Sequence, residues 1–238
     1  MLAGTGEARE LCARLQGRVD VLASLAGAVR QPMAQGVPTR VGGFGGAEGF
    51  LRVLREERIG AVVDATHPFA LRITARSAML CAQAGVPYLR LERPGWREGA
   101  GERWTWVEDA AGAAAAVPRD RAVFLAAGRG AVAAFRGHPA PVWCRVIDPP
   151  AEPFALPEGG WVVGRPPFAV EEEMALFARL AVGALVVKDS GAEGAEAKLR
   201  AAGRMGIGVV VIRRPAAAGL ASVATVEEAL AWVEGLFP

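Results

Sequence analysis

The chain has 238 residues, 52% hydrophobic and 22% charged, which is enough apolar material for one large α/β domain or two small ones and too little charge for a disordered chain. A net charge of +2 lacks the basic excess of a nucleic-acid binder. Three scattered cysteines, Cys12, Cys81 and Cys144, form neither a disulfide frame nor a zinc motif, no apolar run reaches the ~20 residues that span a bilayer, and no basic-then-apolar leader opens the chain, so a cytoplasmic location is expected.

In chain order, Met1-Leu2-Ala3 reads as a first strand far shorter than the usual five or so residues, so either the strand is a stub or translation starts further upstream. A helix follows over Glu7–Leu15, a strand over Val19–Ser24, a helix over Ala47–Glu57, a strand over Ala61–Asp64, a helix over Phe69–Ala84 and a strand over Val86–Leu91. The Pro- and Gly-rich stretch Glu92–Gly101 carries no periodicity and reads as a linker. Beyond it come strands Trp104–Val107, Ala122–Ala126, Val142–Ile147, Ala184–Val187 and Gly208–Arg213, and helices Glu108–Val117, Val170–Leu180, Glu193–Met205 and Thr225–Leu236. The strands are Val-, Leu- and Ile-rich with little alternation, the pattern of parallel strands covered on both faces. The expected fold is α/β, with two Rossmann-like domains (1–95 for a dinucleotide, 104–238 contributing to substrate binding), mainly parallel sheets and an interdomain cleft. One continuous sheet with a long loop is the competing arrangement.

Four segments of the first half carry chemistry. Gly4-Thr5-Gly6-Glu7-Ala8-Arg9 places glycines between a strand and a helix, where backbone approaches a phosphate and the helix offers unpaired N–H groups, although Arg9 replaces the third glycine of the usual fingerprint. The second strand ends at Ser24 without the acid that binds an NAD ribose, and Arg30 and Arg40 follow, which favours a 2′-phosphate. Gly42, Gly43, Gly45 and Gly46 surround Phe44 just before a helix, a loop able to lie flat against a ligand. Asp64-Ala65-Thr66-His67-Pro68 ends an apolar strand, the edge where open α/β sheets bind ligands, and His67 could carry a proton there. In the second half, Arg129, Arg145, Arg165, Lys188 and Arg213 recur at strand ends, an electropositive wall suited to a polyanion.

These segments, with Arg90-Leu91-Glu92-Arg93-Pro94, Phe124–Arg129, Arg145–Pro150 and Lys188-Asp189-Ser190-Gly191, resemble the precorrin-6A reductases of cobalamin biosynthesis over almost the whole chain. The GGFGG loop and the DATHPFA run are the most specific parts. The resemblance implies that a reduced nicotinamide dinucleotide gives hydride to a double bond of precorrin-6A or its cobalt form, in a two-domain Rossmann-like enzyme needing no protein metal. NADPH is the expected cofactor, with NADH possible. Gly4, Thr5, Gly6, Glu7, Ser24, Arg40, Gly42, Gly43, Phe44, Thr66 and His67 are the expected cofactor contacts. Arg129, Arg165, Lys188 and Ser190 are expected to hold the substrate, with His67 and Lys188 as catalytic candidates and water as the other proton source. Two departures from the family pattern are Ala192 after Ser190-Gly191, and Ala28 where an arginine often follows Ala-Gly. The expected partner is a small-molecule tetrapyrrole, without nucleic acid or membrane, for a monomer or small homo-oligomer. The rival readings are a non-catalytic dinucleotide-responsive module and another α/β enzyme such as a group transferase.

Overall fold

Among the described residues every strand pairing is parallel, as the continuous apolar runs require. The computed structural model describes residues 1–27, 30, 32–99, 103–216 and 219–237. The chain divides into two units, Met1–Pro94 with Pro215–Pro238, and Gly95–Arg214.

The first unit contains α1 (Gly6–Leu15), β1 (Ala23–Leu25), β2 (Thr39–Val41), α2 (Ala47–Glu56), β3 (Val62–Asp64), α3 (Leu71–Ala84) and β4 (Tyr88–Leu91). Its strands form a β1–β2 pair and a β3–β4 pair, and Leu2 bridges both Ser24 and Asp64 in parallel. The stub thus closes the sheet. Leu2 N donates to Val63 O and Ala65 N to Leu2 O, each at 2.9 Å, while Ser24 N donates to Met1 O at 2.8 Å and Ala3 N to Ser24 O at 2.9 Å. Side chains alternate across it. Ala3 and Val63 pack with Leu11 and Leu15 of α1, whereas Leu2 and Val62 pack with Phe50 and Leu54 of α2 and Leu80 of α3.

The second unit contains β5 (Trp104–Val107), α4 (Ala110–Ala116), β6 (Ala122–Ala126), β7 (Val142–Val146), β8 (Gly159–Val163), α5 (Val170–Arg179), β9 (Val182–Lys188), α6 (Ala197–Arg204) and β10 (Gly208–Ile212). Its six strands run in the order β5-β10-β9-β6-β7-β8. Strand order reverses between β6 and β9, so the ends of those two strands flank the switch point where ligands enter such sheets. Phe124, Leu185, Val187, Val209 and Val211 meet Phe177 and Leu199 on one face. Alternation sends Val210 and Ile212 to the other.

The structure departs from the sequence expectations in several places. After β10 the chain returns to the first unit: β11 (Ser222–Val223) pairs with β4, and Val226, Ala229 and Val233 of α7 (Val226–Leu236) pack in the cluster of α1. Residues 215–238 therefore do not belong to the second domain as expected. The second strand lies at 23–25 rather than Val19–Ser24, since Ala23 N pairs with Pro38 O and Ser24 with the stub. The helix expected over Glu193–Met205 is split into a 3-10 turn, Glu193–Ala195, and α6. Strands β2, β8 and β11 and the 3-10 turn Arg129–Phe135 were not anticipated. Of the expected linker, residues 100 and 101 lie outside the described residues, as does Ala28.

Gly159 opens β8 at φ +115°, and a Cβ there would sit 2.0 Å from Val142 O, so only glycine allows β8 to pair with β7. Gly159→Ala is expected to cost about 1–3 kcal/mol, as overpacking does. Denaturant titration against the parent protein measures it.

Candidate functional site

In the first unit, Gly4 stands exposed where the stub gives way to α1, with φ +149°, and a Cβ there would meet no atom within 4 Å. Thr5 caps α1, its Oγ1 accepting from Ala8 N at 3.2 Å and donating to Ala65 O at 2.8 Å. One hydroxyl therefore fixes the helix start and ties it to the end of β3 across the switch point. The first-turn amides of Gly6 and Glu7 have no acceptor within the helix, which leaves an anion-binding helix start. Glu7 would oppose an anion there, but its carboxylate is paired with Arg93.

The glycine-rich loop is held by Arg40. Its Nη1 donates to Ser24 Oγ at 2.8 Å and Gly42 O at 3.3 Å, its Nη2 to Gly43 O at 3.0 Å, and its guanidinium lies 4.1 Å from the Phe44 ring centroid. Phe44 also meets Phe50 edge-on at 4.8 Å. Ser24, Arg40, Gly42, Gly43 and Phe44 thus form one cluster toward the carboxyl ends of β1 and β2. Gly49 makes the loop possible: a Cβ there would lie 1.6 Å from Phe44 O.

Beneath the 65–69 loop sits a buried ionic network. Asp64 and Arg90 are 0% and 1% exposed and meet at 2.8 Å. Asp64 Oδ1 also accepts from Thr66 N at 2.9 Å, and Oδ2 accepts from the hydroxyls of Thr74 and Tyr88, each at 2.7 Å. Arg90 donates further to Thr66 Oγ1 at 2.9 Å, His67 O at 3.4 Å and Glu92 at 3.1 Å. Burial, and then the Asp64 carboxylate, push the Tyr88 phenol well up, so it stays a donor. His67 Nδ1 accepts from Phe69 N at 3.2 Å, which places the ring proton of neutral His67 on Nε2.

In the second unit, Lys188 ends β9, Ser190 follows it, and Arg129 follows β6, on the two sides of the switch point. Burial lowers the Lys188 amine. Arg165, beyond β8, is exposed and pairs loosely with Asp148 at 3.7 Å. The Asp189 carboxylate accepts from Trp96 N at 2.9 Å and from Arg214 at 3.1 and 3.3 Å, tying the start of this unit to its last residue. A Cβ on Gly95 would meet that carboxylate at 2.6 Å. Arg145 grips the buried Glu173 through two hydrogen bonds of 3.1 Å and lies over Phe168.

The sequence expectations cover the loop residues of this candidate site and not the residues that pack beneath them, Gly49, Tyr88, Gly95 and Glu173. The role of Arg90 was also missed, although its place between two leucines in a buried strand was a signal. A cavity of about 690 Å³ opens at the opposite, amino edge of the first-unit sheet, lined among others by Val19, Asp20, Ile59, Gly60 and Phe237. It contains none of the glycine-loop residues.

An open parallel sheet with glycine loops and a capped helix start at its switch point is the architecture of a dinucleotide-using α/β enzyme. The family model described as precorrin-6x reductase CbiJ/CobK matches residues 1–234. The chain is 44% identical over 238 residues to the precorrin-6A reductase of Mycobacterium tuberculosis, covering 99% of this chain and 97% of the relative. It is 40% identical over 236 residues to that of Rhodobacter capsulatus, covering 98% and 94%. A solved structure described as CobK precorrin-6A reductase has a TM-score of 0.93 at 39% identity, covering 99% of this chain and 95% of that one. The chain belongs to the precorrin-6x reductase CbiJ/CobK family, oxidoreductases of cobalamin biosynthesis.

Two substitutions test the supports. Arg90→Met strands the Asp64 carboxylate in the core and is expected to cost about 3–5 kcal/mol, with Asp64→Asn in the same background recovering part of it; denaturant titration reads both. Gly49→Ala forces the Phe44 carbonyl to move and is expected to lower stability by about 1–3 kcal/mol in a thermal melt.

Proposed function

We propose that this protein reduces precorrin-6A, or its cobalt form, with NADPH. The observation that carries the cofactor choice is the Ser24–Arg40–Phe44 cluster: a hydroxyl and a guanidinium stand at the tip of β1, and Ser24-Leu25-Ala26-Gly27 holds no carboxylate to repel a 2′-phosphate. The exposed Gly4, with nothing near its absent Cβ, and the first-turn amides of α1 fit a pyrophosphate. Thr66 and His67, held from below by Arg90, complete the cofactor edge.

When bound, the reduced dinucleotide supplies hydride. The rest falls to the protein's own groups. Arg129, Arg165, Lys188 and Ser190 hold and orient the carboxylate-rich macrocycle, and orientation supplies much of the rate in a bimolecular hydride transfer. Arg165 is able to exchange its long contact with Asp148 for a substrate carboxylate. His67, with its proton on Nε2, is one candidate donor for the accompanying proton.

Oxidation of NADPH followed at 340 nm with precorrin-6A tests the activity; no substrate-dependent oxidation with either substrate form refutes it. Loss of the Arg40 guanidinium in Arg40→Gln is expected to raise the NADPH dissociation constant roughly 10–100-fold, as for a hydrogen bond to a charged group, and to raise that for NADH less, through the loosened glycine loop alone. Fluorescence titration with both cofactors measures the split, and equal losses would contradict the 2′-phosphate role.

A further inference from the structure

Of the 27 lysines and arginines, two are lysines, Lys188 and Lys198. Both lie at the same place, at either end of the segment that leaves β9 and enters α6. This chain uses arginine for every other fixed positive charge. Arginine stays protonated throughout the physiological range and transfers no proton, whereas lysine does so once its amine is desolvated. Two lysines flanking one loop at the switch point of the second unit therefore mark where a transferable proton is wanted.

We propose that Lys198 is the acid that delivers the proton accompanying hydride addition, while Lys188 holds substrate. The inference rests on the reductase reading above. Lys198 is half-buried in the first turn of α6, and its Nζ donates one hydrogen bond, to Ala195 O at 2.6 Å. Two of its three N–H groups have no acceptor among the described residues. Its Nζ lies 5.8 Å from the Trp96 ring centroid, and the Trp96 backbone is anchored by Asp189, next to Lys188 and Ser190. The charged groups facing it are Glu173 of α5 and Arg145 of β7, and these two are paired with each other through both Arg145 Nη atoms. On its own helix, Glu196 is turned to Arg200. Burial dominates, with Glu173 opposing it and Arg145 adding to it, and lowers the amine to about 8. The positive helix start acts in the same direction. An ammonium so tuned is charged at neutral pH yet gives up its proton readily.

The step balances. One double-bond carbon of the macrocycle receives a hydride and forms a C–H bond. The π pair moves to the neighbouring position, which takes a proton from the Lys198 ammonium as one N–H bond breaks. The neutral amine then recovers a proton from water.

With only two lysines, reductive ¹³C-methylation of the intact protein yields two ε-methylamine signals besides the N-terminal one, and Lys188→Arg assigns them. Lys198 is expected to titrate near 8 without any cofactor, and a midpoint near the ordinary ~10.4 overturns the proposal. Single-turnover reduction is the second readout. Lys198→Arg keeps the charge and the fold, and is expected to slow reduction ~100-fold or more with NADPH affinity unchanged. The parent rate falls as pH rises through about 8 because the protonated form is the active one, and the variant loses that limb. Lys198→Met, checked by thermal melt, repeats the test without charge. If either folded variant reduces substrate at the parent rate with the parent pH profile, Lys198 is not the acid; if the parent itself fails to reduce substrate, the reductase reading fails instead.

Discussion

Four backbone hydrogen bonds hold Met1–Ala3 between β1 and β3, and the shared edge of Gly4, Ser24 and Thr66 in the first unit follows from them. Each is worth only about 0.5–1.5 kcal/mol net. Their geometric consequence is larger. Because the stub pairs on both sides, Gly4 emerges where the strand order reverses, with β1 and β2 on one side and β3, β4 and β11 on the other. The Thr5 hydroxyl then locks α1 to Ala65, so the glycine turn, the Ser24 tip and the Thr66 loop share one edge. The apolar alternation through the stub buries Leu2 on one face and Ala3 on the other, which keeps the register from slipping by one residue.

Both units support a strand-end loop with a buried carboxylate. In the first, Asp64 is paired with Arg90 and takes three further donors. In the second, Asp189 takes the Trp96 amide and the Arg214 fork. Removing two charges from water costs several kcal/mol per ion, and only near-complete hydrogen bonding offsets it. The networks therefore fix loop conformation more than they add stability. That matches what hydride transfer asks first of a protein, which is placement of the reacting partners.

Much of this was legible in the sequence because it is local. Val62-Val63, Val123-Phe124-Leu125 and Leu185-Val186-Val187 are buried on both faces, and their unbroken apolar runs say so directly. The glycine loops and the strand-end residues were legible because strand-to-helix turns in open α/β sheets face one edge. What escaped depends on distant partners. β2 is a three-residue, largely exposed edge strand whose identity comes from pairing with β1, and β8 begins with two glycines that resemble a turn. The return of residues 215–238 to the first unit is decided by burial of Val226, Ala229 and Val233 against α1, far away in the sequence. Gly49 and Gly95 looked like ordinary small residues, since only the approach of Phe44 O and Asp189 reveals why no Cβ fits. The two lysines, by contrast, were visible all along, but their meaning required the shared loop and the buried surroundings of Lys198.

The proposed function requires the dinucleotide at the carboxyl edge of the first-unit sheet, the edge set by the Met1–Ala3 stub. A crystal structure with bound NADPH tests it most directly. The expected result is the pyrophosphate against the Gly6 and Glu7 amides and the 2′-phosphate within hydrogen-bond reach of Ser24 and Arg40. A dinucleotide seated at the opposite edge of that sheet, or entirely on the second unit, would contradict it.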